Sequence, residues 1–412
     1  MKNFFKSITI LCIFFIFVPL YGCENPKEWF SKNKSLSEKE KIEDFEYLYN
    51  VVNDNFPLLS INKNKYGIDW LSNKDKYTEQ IKATKNDSEF GKVLNNILLD
   101  LHSSNSSLVP SVNAKALDSS SSMIKKIFAR DSVIKRYKLD EQDSSEGTNN
   151  NNVEKSPLYN TITKDIIPKE MGYIRIGKLL DENSRKEDVT NLTAYLKTIG
   201  NYKTLVIDLR GNSGGDITYL SNFLFPMIIN KTYSNSIYSF FMGGNLTENL
   251  LKSSSNGKSI SPNIEQFDKK KMPNLTVDLT KNFKYFEEYK FSMSPKPESI
   301  NFSGKIYILI DSSMNNTLYH FINWAKYSKL ATLVGEPITE NLSLSVPAWD
   351  SLPNSGYVFT LNPCVLINPD GSCLEQNGIS PDIVVNVDGR YSDPNLLKDP
   401  CIKKILEVEK QQ

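Results

Sequence analysis

Residues 208–216 read DLRGNSGGD and directly follow the apolar run TLVI of residues 204–207. The apolar run predicts a buried strand, and the apolar residues beyond position 216 predict a helix, so the glycines stand in a strand-to-helix turn. Glycine permits unusual backbone dihedrals and close approach of a second backbone. Amides at the start of a helix bind anions or an oxyanion. The segment therefore indicates either a plain turn or an anion-binding turn.

Further apolar runs continue this pattern on both sides of the turn. GYIRIGKL at residues 172–179, KIYILI at 305–310 and ATLVGE at 331–336 predict strands. Helical patterns separate them, and SRKE at residues 184–187 predicts a capping box at the start of one such helix. Strands that alternate with helices predict an α/β core.

The strand KIYILI leads into a second polar turn, DSSMNNTLYHF, at residues 311–321. Apolar residues at helical spacing follow, so a buried strand is predicted to enter a helix through a tight turn. Hydrolases often place a nucleophile in such a turn. Ser312 and Ser313 are hydroxyl candidates there, although serine also caps helices well.

The chain divides into regions of different composition. Residues 36–139 predict a small helical domain, opened by the capping box SEKE at residues 37–40. Residues 140–155 have low complexity and predict a surface loop, because they carry too few apolar side chains to order themselves. We assign residues 156–395 to the α/β domain and residues 396–412 to a C-terminal tail.

The charge balance and the histidine count exclude several functions. Lys plus Arg is 49 and Asp plus Glu is 48, a net charge of +1, which gives no argument for binding nucleic acid. The two histidines, His102 and His320, form no metal-ligand pattern with the cysteines, so we expect neither a metal site nor a cofactor.

The N-terminus predicts an export signal. Residues 1–22 carry two early lysines and then an apolar stretch too short to span a bilayer comfortably. The stretch ends in LYGC, residues 20–23, which resembles a bacterial lipoprotein box, although Tyr21 departs from the usual small residue. We predict lipid on Cys23, a tether over residues 23–35 and a location on the extracytoplasmic face of the cell membrane. A cleaved signal with a chance cysteine is the alternative.

The late region SGYVFTLNPCVLINPDGSC predicts a β-hairpin with a turn at NPDG, residues 368–371. Cys364 and Cys373 flank this turn. A disulfide between them and two separate buried thiols are both consistent with the sequence.

The order of these motifs resembles the tail-specific, or C-terminal-processing, serine peptidase family, and within it the branch without a PDZ domain. GYIRI, DLRGNSGGD, IYILID, LVGE, LPNSG and NGISPDIVV succeed one another as in that family, over about residues 90–387. The resemblance implies a crotonase-like β-β-α core after the helical domain. It also implies a peptide or a protein C-terminus as the partner.

The same resemblance implies the positions of the catalytic residues. Gly214 and Gly215 correspond to the glycines that help to form the oxyanion hole. Asn316 stands at the nucleophilic serine, and Tyr319 stands at the glutamate that follows it. An asparagine amide has no usable nucleophilic lone pair at neutral pH, so this position cannot start acyl transfer.

The position of the base is also substituted in the favoured alignment. Asn105 stands at the family's histidine, whereas a shifted alignment would place His102 there. The lysine of the other branch has no counterpart, because the sequence has no lysine between Lys329 and Lys398. We therefore predict a catalytically degenerate lipoprotein that binds peptides or protein C-termini. The alternatives are an active peptidase with a relocated nucleophile, for which Ser313 with His102 is the candidate pair, and a non-catalytic structural or interaction lipoprotein.

Overall fold

A computed structural model of the chain describes residues 35–110, 122–138, 160–254, 262–268, 272, 275, 283–340, 342, 344–386 and 395–410. The predicted signal peptide, Cys23, most of the tether and the low-complexity loop at 140–155 lie outside the described residues. Among the helices described, none is both long enough and apolar enough to cross a membrane.

Helices form most of the N-terminal region. The described ones are α1 (Glu38–Asn55), α2 (Leu59–Tyr66), α3 (Lys74–Lys82), α4 (Asp87–Leu99), α5 (Ser122–Phe128) and α6 (Asp131–Tyr137). The predicted capping box at residues 37–40 is confirmed, because the Ser37 hydroxyl accepts the Glu40 N–H while the Glu40 carboxylate accepts the Ser37 N–H at 2.7 Å. These bonds satisfy amides that the first turn of a helix leaves open.

Helix α1 is bound to a segment from the far end of the sequence. The fully buried Asp44 carboxylate accepts the backbone N–H groups of Asn354 and Ser355, each at 2.8 Å. Tyr47 donates its hydroxyl to Asp350, 303 positions later, at 2.6 Å. The N-terminal helices therefore share one packed unit with late strands.

The α/β region supplies the remaining described elements. The strands are β1 (Ser107–Leu108), β2 (Thr161–Ile167), β3 (Met171–Ile176), β4 (Thr204–Asp208), β5 (Tyr233–Phe241), β6 (Tyr285–Met293), β7 (Lys305–Ile310), β8 (Thr332–Gly335), β9 (Ala348–Ser351), β10 (Val358–Leu361), β11 (Cys364–Ile367) and β12 (Ile383–Val384). The helices are α7 (Lys186–Ile199), α8 (Asn245–Ser254), α9 (Tyr319–Tyr327), α10 (Leu374–Asn377) and α11 (Pro400–Lys410).

The largest sheet has the strand order β12-β8-β7-β4-β3-β2. Its neighbouring strands run parallel, apart from the antiparallel β2–β3 pair at one edge. Strands β4 and β7 lie in the middle, with Asp208 opposite Leu309. Parallel neighbours bring their carboxyl ends to one edge, so the turns after β4 and β7 lie side by side. The predicted α/β fold class is confirmed.

Both faces of the large sheet are buried, which explains why its strands read as continuous apolar runs. Ile306 and Ile308 of β7 belong to the core cluster that includes α7 and α9. The alternate residues Tyr307 and Leu309 pack with Ile402 of α11 on the other face. Full burial of one such aliphatic side chain contributes about 1.5–3 kcal/mol.

Two three-stranded sheets complete the architecture. One has the order β1-β10-β9 and the other the order β11-β5-β6. The predicted turn at residues 368–371 is present, because the Gly371 N–H donates to the Asn368 carbonyl at 2.9 Å and an antiparallel bridge joins Ile367 and Cys373. The run before this turn, however, is divided into β10 and β11, which pair with different partners. Only the two residues Asn362 and Pro363 separate these strands, yet the chain changes sheet there.

The structure gives three further results on local predictions. The prediction of a capping box at residues 184–187 is wrong. Helix α7 has Arg185 at its N-cap and no side-chain cap, and the Ser184 hydroxyl donates to Asp181 instead. Cys364 and Cys373 are separate buried thiols. Burial raises the pKa of both thiols, so they are poor nucleophiles.

Part of the segment labelled as a C-terminal tail is an ordered helix. Helix α11 packs Cys401, Ile402 and Ile405 against the large sheet, and all three side chains are fully buried. Its start is capped by Asp399, whose Oδ1 accepts the Cys401 N–H at 2.8 Å. These residues belong to the α/β unit.

Candidate functional site

The Gly-rich turn after β4 is shaped by the buried side chain of Asn212. Its Nδ2 donates to the Ile176 carbonyl at 2.8 Å, and its Oδ1 accepts the Gly214 N–H at 2.8 Å. Asn212 is fully buried. The amide of Gly214, one of the two predicted oxyanion donors, is therefore engaged within the turn itself.

Gly215 has the opposite arrangement. The Leu179 N–H donates to the Gly214 carbonyl at 2.8 Å, and the Asp216 N–H donates to the Leu179 carbonyl at 2.9 Å. In this parallel bridge the N–H of Gly215 points away from residue 179, and within the described chain it has no hydrogen-bond partner. It is available to a carbonyl or an oxyanion.

Only glycine fits at position 215. Its φ is +123°, and a Cβ there would stand 2.0 Å from the Leu179 carbonyl oxygen. Gly214 is similarly restricted by a φ of +84° and by the side chain of Asn315. Gly215 is thus required by a backbone contact, and Gly214 by the side chain of Asn315 and its own positive φ.

The turn after β7 packs directly on this Gly-rich turn. The Asn315 N–H donates to the Asn212 carbonyl at 2.9 Å, and the Asn315 Oδ1 caps the following short 3₁₀ helix by accepting the Thr317 N–H at 3.0 Å. Asn316 is the first residue of that 3₁₀ helix. We call the surface formed by the Gly-rich turn, residues 208–216, together with residues 315–319 the candidate groove.

Asn316 lies in the candidate groove without a fixed partner. Its side chain is partly exposed and makes no hydrogen bond to the described part of the protein. Tyr319, in contrast, is 3% exposed and belongs to the main core cluster. Its hydroxyl donates to the Met314 carbonyl at 3.2 Å, and burial raises its pKa. The aromatic ring at the family's glutamate position therefore fills core volume.

Asn105 serves as a hydrogen-bond donor to a buried segment. Its Nδ2 donates to the Ser345 carbonyl at 2.5 Å, and Nε2 of His320 lies 2.7 Å from the carbonyl oxygen of the preceding residue, Leu344. We call residues 344–345 the strap, because Asn105 and helix α9 both hold it. The described contacts thus connect the Asn105 amide to this strap.

The fallback pair of Ser313 and His102 is not brought together by a hydrogen bond in the described chain. His102 has a φ of +45° and stacks its ring on Tyr66, with 4.0 Å between the ring centroids. Ser313 donates its hydroxyl to Asp311, 3.0 Å from each carboxylate oxygen. Each of the two residues has a local role that accounts for its position.

A network of charged and polar side chains holds the start of the Gly-rich turn at the end of β4. Asp208 accepts the Arg210 Nε–H at 2.9 Å and the Tyr173 hydroxyl at 2.8 Å. The Arg210 guanidinium also bridges Asp208 and Asp399 through Nη2, at 2.7 Å to each carboxylate. Both carboxylates are almost completely buried. Asp208 and Arg210 therefore fix the end of β4.

Sequence reasoning missed Asn212, Asn315 and the strap. Asn212 carried a usable signal, because asparagine between glycines is typical of a turn that its own side chain organises. The sequence around Asn315 and Ser345 gave no such signal, because the roles of these residues depend on contacts with distant segments. Within the described residues no three His, Cys, Asp or Glu side chains cluster so as to hold a metal ion.

A parallel-rich sheet whose central Gly-rich turn packs against the start of a helix defines the class as an α/β fold. The peptidase family S41 model matches residues 170–385, just over half of the chain, and the tricorn protease C1 domain model matches residues 37–98. The chain therefore belongs to peptidase family S41, the tail-specific peptidases, as predicted.

Solved structures agree with this fold. A peptidase of undetermined function from Parabacteroides merdae superposes with a TM-score of 0.53 at 17% identity, covering 91% of this chain and 97% of that one. Mature CPAF in complex with lactacystin superposes with a TM-score of 0.53 at 12% identity, covering 91% and 98%. No curated protein sequence matches this chain. At such identities the likeness concerns the fold.

Proposed function

We propose that this chain is a non-catalytic member of its peptidase family that binds extended peptides or protein C-termini in the candidate groove. The observation that carries the proposal is the state of the family's catalytic positions. Asn316 cannot attack a carbonyl, Tyr319 packs into the core, and Asn105 holds the strap. Three substitutions in one site favour lost chemistry over a single exchanged residue.

The backbone of the candidate groove supports retained binding. The N–H of Gly215 has no partner in the described chain, and the adjacent Gly214 packs against the side chain of Asn315. A peptide carbonyl is the natural acceptor for such an amide, and main-chain recognition needs no catalytic side chain. Family membership supports peptides or proteins as the ligand class.

We also propose that the protein is a lipoprotein held on the extracytoplasmic face of the membrane through Cys23. The LYGC sequence after the apolar stretch supports this proposal. Metabolic labelling with a fatty acid tests it: the wild-type chain should take up label and sediment with membranes, and Cys23→Ala should do neither. Labelling that survives Cys23→Ala would contradict lipid attachment at this residue.

The proposal of a non-catalytic, peptide-binding protein is tested on the full chain in nonionic detergent. The substrate is a fluorogenic, unstructured peptide that has a free C-terminus. Wild type, Asn316→Ser and Ser313→Ala should all show no turnover, while wild type and Asn316→Ser bind the peptide saturably. A peptide with a C-terminal amide distinguishes recognition of the terminus from recognition of the main chain.

A second candidate function has one specific observation in its favour. Asp311 lies within hydrogen-bond distance of the Ser313 hydroxyl, so a carboxylate is placed where it would accept that proton. Wild-type turnover that Ser313→Ala abolishes would establish this relocated nucleophile and overturn the non-catalytic proposal. Absence of both turnover and saturable binding would instead favour a structural or interaction lipoprotein.

A further inference from the structure

Arg185, at the start of helix α7, is a buried cation that has no counter-ion among the described residues. The residue is only 9% exposed, and its guanidinium stands 5.5 Å from the centre of the Phe223 ring. In the part of the chain that the structure describes, the guanidinium has no ion pair, and its fully buried Nη1 has no hydrogen-bond partner. Burial of a charge without a partner costs several kcal/mol.

Two other arginines in the described part of the chain do have carboxylate partners. The buried Arg136 forms an ion pair of 2.9 Å with Asp87, and Arg210 bridges Asp208 and Asp399, although its own Nη1 also has no hydrogen-bond partner. The acid one turn along from Arg185 is engaged elsewhere, because Asp188 Oδ2 accepts the Asn160 amide at 2.7 Å and the Tyr219 hydroxyl at 2.8 Å. Neither this acid nor Glu182, which lines the same cleft, forms an ion pair with Arg185.

Arg185 lines a cleft of about 340 Å³. The residues around this cleft are Glu182, Arg185, Lys186, Val189, Phe223 and Lys296. Three of them are cations and one is an anion, so the lining carries a net positive charge. The cleft also lies at the N-terminus of α7, a helix of 14 residues without a side-chain cap. The uncapped first-turn amides and the helix dipole both favour an anion there.

We propose that this cleft, which we call the Arg185 cleft, binds an oxyanion, either a carboxylate or a phosphate group. Arg185 presents the planar fork that matches either group, and Lys186 and Lys296 add charge at the rim. Phe223 and Val189 supply an apolar wall, which fits an anion carried on an organic molecule. The proposal does not depend on the function of the candidate groove.

The test is calorimetric titration and thermal unfolding of the full chain in nonionic detergent, with inorganic phosphate or hexanoate as probe and chloride keeping ionic strength constant. Wild type should bind at least one probe saturably and gain thermal stability with it. Arg185→Met should bind at least tenfold more weakly. Tighter binding of phosphate or of hexanoate identifies the group that the cleft prefers.

Lys197→Met is the matched control, because Lys197 is an exposed cation on the last turn of the same helix. It should bind the probe like the wild type. Without a probe, Arg185→Met should be at least as stable as the wild type, since it removes an unpaired buried charge; a purely structural arginine would give a less stable variant. If Arg185→Met does not fold, Lys296→Met should weaken binding several-fold. Absence of saturable binding by the wild type, or equal binding by Arg185→Met, would overturn the proposal.

Discussion

Asn315 lies so close to Gly214 that its Cγ is 2.7 Å from the point where a Cβ on Gly214 would stand. The turns after β4 and β7 can therefore be in contact only because position 214 has no side chain. Next to it, Gly215 approaches the Leu179 carbonyl even more closely. The candidate groove has its shape because two backbones and one amide side chain pack without intervening atoms.

We expect Gly215→Ala to lower the free energy of unfolding by roughly 2–4 kcal/mol, because the new Cβ meets a backbone carbonyl and strains a positive φ. Gly67→Ala is the matched control: Gly67 has a φ of +74° but open space around it, so it should lose only about 1 kcal/mol. Urea unfolding followed by circular dichroism measures both. Equal losses would show that the contact with Leu179 is unimportant.

The carboxylate of Asp399 both pairs with Arg210 and caps α11. We expect Asp399→Ala to destabilise the protein by about 3–5 kcal/mol, since it leaves Arg210 with one partner and removes the cap. Asp399→Asn keeps the capping oxygen and should lose less. Glu407→Gln removes an exposed pair with Lys404 and should change stability by under about 0.5 kcal/mol. Similar stabilities of all three variants in urea would contradict this ranking.

Glu375 predicts a pH dependence of stability. Its side chain is buried against β11, where both oxygens accept the Leu366 N–H, and burial raises its pKa from 4.5 to about 7. The folded state therefore holds this proton more tightly than the unfolded state does. The contribution of Glu375 to the free energy of unfolding is most favourable below pH 4.5 and declines as the pH rises to 7.

Glu375→Gln should accordingly be more stable than the wild type at pH 8, by about 1–3 kcal/mol, and close to it at pH 4.5. Urea unfolding at the two pH values measures the difference. The exposed Glu407→Gln serves as control and should show no such pH-dependent gain. A loss of stability at pH 8 would mean that the folded protein stabilises the charged Glu375 carboxylate, which would contradict a raised pKa.

The strap predicts a local change in dynamics. Asn105 and His320 hold the two successive carbonyls of residues 344–345. Asn105→Ala should speed amide hydrogen exchange in peptides that cover residues 342–350, because one of these two side-chain contacts is lost. Asn53→Ala, on the exposed side of α1, should leave that exchange unchanged. Unaltered exchange in Asn105→Ala would show that the strap is held by its other contacts.

The sequence predicted the large sheet and the Gly-rich turn well, because both depend on local patterns. Runs such as KIYILI are apolar throughout since the sheet is covered on both faces. The sequence analysis failed where an element or a side chain contacts residues that are distant in the sequence. No local signal shows that the run before the turn at residues 368–371 is divided into two strands that join different sheets, as β10 and β11 do. Likewise, nothing near Arg185 in sequence indicates that its buried guanidinium lacks a carboxylate.

The bonds from Asp44 to residues 354–355 have a consequence for biosynthesis. Helix α1 is synthesised long before residues 354–355. The Asp44 carboxylate can therefore form its native hydrogen bonds only after more than three quarters of the chain has been made. Contacts of such long sequence separation slow folding and prolong exposure of apolar surface. With the export that we propose, the chain would reach its native state only after its late strands have crossed the membrane, which favours translocation in an unfolded form.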